Sequence, residues 1–141
     1  MMRLAALPAV LALLAGCQAP PPLSEEQIAA LDYGPRPQDH EKIVRDYLHD
    51  RLNDPGFAVI EFRAGPSPLY QRETFSRERQ HGWAVCLTVN ERDPGGVYLE
   101  YLMVVYIRGG QVVATDGGRL ERAAGRGYAR EQCKQLGYEV F

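Results

Sequence analysis

The sequence predicts an α+β fold: an N-terminal helix packed on a four-stranded antiparallel sheet, followed by a short C-terminal helix. Three observations lead there. Ile43, Val44, Tyr47, Leu48 and Leu52 recur at the spacing of one helix face. Trp83–Asn90 and Val97–Ile107 alternate with the period of strands. Asp93-Pro94-Gly95-Gly96 and Arg108-Gly109-Gly110-Gln111 carry the residues of tight turns between strands.

Taken in order, the first helix is expected over about residues 40–52, with Asp39 as its cap and Asn53-Asp54-Pro55-Gly56 as its stop. Glu41, Arg45, Asp46, His49 and Asp50 fall off its apolar face and read as solvated. Phe57 to Arg63 reads as a strand with apolar groups on both faces, Phe57 and Val59 on one, Ala58, Ile60 and Phe62 on the other. Gly65 to Gly82 reads as a long polar connection, either a functional loop or an insertion without a role. In the next strand Trp83, Val85, Leu87 and Val89 share one face, and Ala84, Cys86, Thr88 and Asn90 the other. Val97 to Ile107 is apolar on both faces, which predicts a central strand covered on both sides. Val112 to Thr115 completes the sheet. A last helix within Tyr128–Leu136 carries Cys133 and ends at Gly137. Both helices are expected on one face of the sheet.

The first 38 residues have a different character. Met1-Met2-Arg3 supplies a positive start, and Leu4 to Ala15 is an apolar run broken only by Pro8, too short to span a bilayer. Leu14-Ala15-Gly16-Cys17 resembles the lipobox of bacterial lipoproteins, in which the cysteine sulfur takes a diacylglyceryl group and cleavage follows on its amino side. This implies a signal peptide over 1–16, a lipidated Cys17 bearing palmitate-type chains, and a membrane anchor of more than one chain. Gln18, in place of the aspartate that retains lipoproteins at the inner membrane of enteric bacteria, favours the outer membrane. Residues 17–38 read as a proline-rich tether, with Ala19-Pro20-Pro21-Pro22 extended and a short helix capped by Ser24 and Gln27. That helix either docks on the domain, forms on meeting a partner, or frays. Residues 39–141 form a single α+β domain.

Net charge is −2 for the 141-residue chain, and loss of Arg3 makes it −3. This balance excludes nucleic acid as the main partner. Once Cys17 is set aside, Cys86 and Cys133 remain, and in an oxidising compartment they allow one pairing, so a Cys86–Cys133 disulfide is expected. The alternative is two buried free thiols.

Leu52-x-Asp54-Pro55, Trp83-x-Val85-Cys86-x3-Asn90 and Gly95-Gly96-x-Tyr98 together resemble a group of small, uncharacterised proteobacterial lipoproteins and exported proteins. The resemblance spans about residues 40–110 and departs at Gly56 and in the longer 65–82 segment. It implies this fold and an envelope location, and no activity.

His40, His49 and His81 show no metal-ligand spacing, and the sequence asks for no metal and no cofactor. Cys86 and His81 are the one thiol and imidazole pair that could suggest nucleophilic catalysis, and Cys86 lies mid-strand among apolar residues. Tyr98, Tyr101 and Tyr106 are spaced either to line a groove or to pack. No catalytic residues are assigned. The expectation is a non-enzymatic lipoprotein on the periplasmic face of the outer membrane, held by the lipid on Cys17, with a structural role or an envelope protein partner. The alternatives are a small-molecule or glycan-binding periplasmic module and, third, a cysteine-dependent enzyme.

Overall fold

The computed structural model describes residues 20–119 and 127–139. The expected signal peptide over 1–16 and the lipid site at Cys17 lie outside the described residues. Four strands, β1 (Val59–Gln71), β2 (Gln80–Arg92), β3 (Tyr98–Arg108) and β4 (Gln111–Gly117), form one antiparallel sheet in sequence order. Three helices accompany it: α1 (Glu25–Ala29), α2 (His40–His49) and α3 (Tyr128–Gln135).

The expected N-terminal helix packed on the sheet is corrected here. The first helix of the described chain is α1, five residues long with none buried. The fold is mostly a four-stranded antiparallel sheet with small helices. Tyr33-Gly34-Pro35 stops α1 before it can present a continuous apolar face. Of the ten residues of α2 only Val44 and Leu48 are buried.

The expectation that both helices share one face is also corrected. Val85, Leu87 and Val89 of β2 and Tyr101, Val105 and Ile107 of β3 form one core cluster with Val44 and Leu48 of α2. Ala84, Cys86, Val104 and Tyr106 form a second cluster with Ala129 and Cys133 of α3. Side chains alternate across a strand, so these clusters lie on opposite faces of the sheet. A central strand pair apolar on both sides must be covered on both, and one helix goes to each.

The polar segment 65–82 is not a structureless loop. Most of it belongs to β1 and β2, which pair as far as Gln71 with Gln80. Pro66 and Pro68 tolerate this because β1 is an edge strand, where a missing N–H breaks no inner ladder bond. Register shifts between Phe62 and Ala64 and between Ala64 and Ser67 change which face the strand presents. Ile60 and Phe62 pack on the α2 side, Ala64 and Leu69 on the α3 side. Gly65 is required at the bulge: its φ is +89°, and a Cβ there would stand 2.3 Å from the Ala84 carbonyl oxygen. Phe57, expected to open this strand, precedes β1, and it and Val59 are exposed, because eight-residue α3 does not reach that end of the sheet.

Two buried carboxylates tie the periphery down. Glu91 sits where the β2 apolar row would continue and is 1% exposed. It accepts from the Asn53 amide (3.1 Å) and the Tyr101 hydroxyl (2.9 Å), and pairs with Arg119 Nε (3.1 Å). This fastens the turn after α2 to the end of the sheet. On the opposite face Asp116 Oδ2 accepts from Arg77 Nη1 at 2.7 Å and from the side-chain amides of Gln80 and Gln132. Tyr106 donates to Gln132 Oε1 at 2.8 Å. Burial first, then the Asp116 charge, pushes the Tyr106 hydroxyl pKa well up.

Cys86 of β2 and Cys133 of α3 are joined by a disulfide across 47 residues of sequence. In the chain-entropy treatment a loop of that size contributes ~4 kcal/mol. Reduction should therefore lower the denaturant midpoint and loosen α3 before the sheet. Chemical unfolding with and without reductant measures the loss, expected at 2–4 kcal/mol on the order of magnitude for such bridges.

Candidate functional site

A cleft of about 500 Å³ lies where β1 and β3 end and β2 and β4 begin. Its sheet wall is built from Tyr70, Gln80, His81, Arg108, Val113 and Ala114, and its other wall from Leu23 and Leu31, which flank α1. The N-terminal segment thus forms part of the site.

Local sequence explains how that segment is held. Ser24 Oγ accepts from the Gln27 amide (3.2 Å) and Gln27 Oε1 accepts from the Ser24 amide (2.9 Å), a reciprocal cap that starts α1. Asp32 Oδ1 accepts from the Gly34 amide at 2.8 Å, and Gly34 takes φ +66°, turning the chain back toward β2. Three donors on or beside β2 then meet backbone carbonyls of the segment. Arg79 Nη2 donates to Pro21 (3.0 Å) and Trp83 Nε1 donates to Gly34 (3.0 Å), while His81 Nε2 lies 3.2 Å from the Asp32 oxygen. The ring of Tyr33 stands edge-on to His81 at 5.5 Å.

Arg108 Nη1 stands 2.6 Å from Nε2 and 3.0 Å from Nδ1 of His81, and 3.2 Å from its carbonyl oxygen. A neutral ring has one bare nitrogen that can accept from Arg108. A protonated ring would set two cations together. The His81 pKa is accordingly lowered, by burial first and by Arg108 second. Arg79 is balanced by Glu73 at 3.2 Å. Among the described residues Arg108 has no ion pair.

The other singled-out residues are placed elsewhere. Cys86 is fully buried and bonded to Cys133, so it presents no thiolate to His81. His40 meets Phe62 edge-on at 5.9 Å on the α2 side, and His49 is exposed beside Asp50. Among the described residues no group of three His, Cys, Asp or Glu side chains is placed to hold a metal. Tyr101 and Tyr106 are buried, whereas Tyr98 is exposed at the opposite end of the sheet. In the sequence Arg108 reads as a turn residue, Leu23 as a staple position of the short helix and Leu31 as part of the tether. Their meeting depends on the N-terminal segment folding back, for which the sequence carries no local signal. Compared with protein-family models, with curated proteins and with solved structures, the chain matches none.

The lowered His81 pKa gives stability a direction with pH. Well above 6.5 the ring is uncharged in both folded and unfolded chains. As pH falls through 6.5, the ordinary imidazole value, the unfolded chain takes up the proton more readily, so the folded state loses stability. Arg108→Gln should move the His81 titration midpoint up toward the ordinary value and reduce the acid loss. Ring-proton NMR titration of both proteins measures this, and an unmoved midpoint refutes the coupling.

Proposed function

We propose that this chain is a non-enzymatic lipoprotein of the cell envelope, anchored through Cys17 at the periplasmic face of the outer membrane, and that it acts by binding. The Cys86–Cys133 disulfide carries the reading. A buried cystine belongs to an oxidising compartment, the one a lipobox leads to. The held segment adds a geometric consequence. Pro21 follows Cys17 by four residues, so a lipid on Cys17 lies within about 14 Å of the Pro21 carbonyl held by Arg79. The proline stretch is then a short leash rather than a long spacer, and the cleft faces the membrane.

The opposite end of the sheet supports a protein partner. Phe57 and Tyr98 are 69% and 60% exposed, beside exposed Val59 and Val97. The Arg92 guanidinium lies 5.8 Å from the Phe57 ring centre and 4.7 Å from that of Tyr98. Trp83 and Arg92 are nine residues apart on β2, about 30 Å. An aromatic patch at the end of the sheet away from the anchored segment would point into the periplasm, with the aromatic and arginine content typical of interface centres. The cleft specifically favours the second reading, a small-molecule-binding module, because it combines apolar walls with a few polar groups.

Cys17→Ser should abolish palmitate labelling and remove the protein from the outer-membrane fraction; continued labelling refutes the anchor. A photo-crosslinking residue at position 98 should give a discrete envelope adduct in intact cells. That adduct should vanish in a Phe57→Ser, Val97→Ser background, and an adduct that persists there, or none at all, refutes the distal interface.

A further inference from the structure

We propose that the cleft between the N-terminal segment and the sheet binds an amphipathic anion, a carboxylate or phosphate carrying an apolar tail, with Arg108 as the headgroup ligand. This deepens the small-molecule reading of the cleft and makes no use of the distal patch.

Charge balance is the first argument. Arg108 is half-buried, and the one hydrogen-bond partner of its side chain among the described residues is His81, which supplies an imidazole and a carbonyl and no negative charge. Only Nη1 is engaged there. A guanidinium presents five N–H donors in a planar fork, and the remaining edge suits two oxygens of a carboxylate or phosphate. Desolvating a cation without a counter-ion is costly, so an anion that supplies one gains affinity. Glu78 lies on the exposed rim and forms no ion pair with Arg108 among the described residues. Arg79 is already neutralised by Glu73, so the uncompensated charge is that of Arg108.

The walls give the second argument. Leu23 and Leu31 from the N-terminal segment face Tyr70 and Val113 from the two outer strands, and a volume of about 500 Å³ suits a ligand of modest size. Val113 occupies the register shift in β4 and is 43% exposed. Bulges of this kind re-aim side chains. Here Val112 packs on the α2 side and Ala114 on the α3 side, leaving Val113 to the cleft. A headgroup alone would leave these apolar walls wet, and a tail alone would leave Arg108 unpaired.

Two sources share this chemistry, an anionic phospholipid of the adjacent bilayer and a free amphiphile. The chain's single tryptophan, Trp83, donates to Gly34 of the N-terminal segment and reports on the cleft wall. The test uses the mature lipidated protein in phosphatidylcholine vesicles, titrated with octyl phosphate below its micelle concentration while Trp83 emission is followed. A saturable shift is expected, absent with octanol or with inorganic phosphate. Arg108→Gln should weaken it at least about tenfold, Arg108→Lys less, and Val113→Glu as strongly as the glutamine variant by repelling the headgroup. Unchanged unfolding midpoints establish that the variants are folded. A Trp83 shift on adding phosphatidylglycerol to the vesicles, without octyl phosphate, assigns the bilayer as source; a shift with octyl phosphate alone assigns a free amphiphile. Octanol binding as tightly as octyl phosphate, or full affinity in Arg108→Gln, overturns the anionic assignment and leaves a neutral-ligand site. No response to any of these probes overturns the assignment and the small-molecule reading together.

Discussion

The structure depends on one constraint: the β2–β3 strand pair is apolar on both faces. Val85, Leu87 and Val89 on one side and Ala84 and Cys86 on the other are fully buried. A sheet in that condition cannot leave either face to water, since each buried aliphatic side chain is worth roughly 1.5–3 kcal/mol of transfer free energy. Coverage therefore comes from both sequence directions. Val44 and Leu48 of α2, which precedes the sheet, join the core on one face, while α3 follows the sheet and is bonded to the other. The disulfide matters because α3 has only eight residues, too few to hold a helix by propensity.

Short helices leave the two ends of a long sheet unfinished, and the ends are finished differently. At one end the N-terminal segment is laid against β2 by donors reaching its carbonyls, and the junction is a cleft. At the other, Glu91 draws in the turn after α2 but leaves Phe57 and Tyr98 outside. The two ends differ in polarity and in distance from the proposed anchor, which is what allows them separate roles.

Asp116 links the architecture to the cleft. It holds Gln80, the residue before His81, together with Gln132 of α3 and Arg77 of the β1–β2 connection. Three donors converging on one buried oxygen make the start of β2 stiff, since moving any of them strands a buried charge or amide. His81 and Arg108 thus stand on a fixed floor, while the opposite wall, with Leu23 and Leu31, is carried by a segment of which α1 buries nothing.

By itself the sequence determined the features set by local physics. The alternation in Trp83–Asn90 and Val97–Ile107, the Gly109-Gly110 turn, the Ser24–Gln27 cap and the α3 stop at Gly137 each act through neighbouring residues, and the four antiparallel strands follow from them. The even pair of cysteines and its Cys86–Cys133 pairing were legible too, with two free thiols as the alternative. Tertiary structure alone decided the rest. Polar Ser67–Gln71 became strand because pairing with β2 satisfies its backbone, whatever its side chains prefer. Bulges at Arg63 and Val113 reversed which side chains face which helix, and a one-residue offset leaves no mark on composition. The two helices separated to opposite faces because both faces of β2 and β3 demanded cover. Arg108 met Leu23 and Leu31 only because the segment before Gly34 folds back across the sheet. Contacts between residues some eighty positions apart are settled by the competition for burial and hydrogen bonds in the folded whole, and no window of sequence contains that competition.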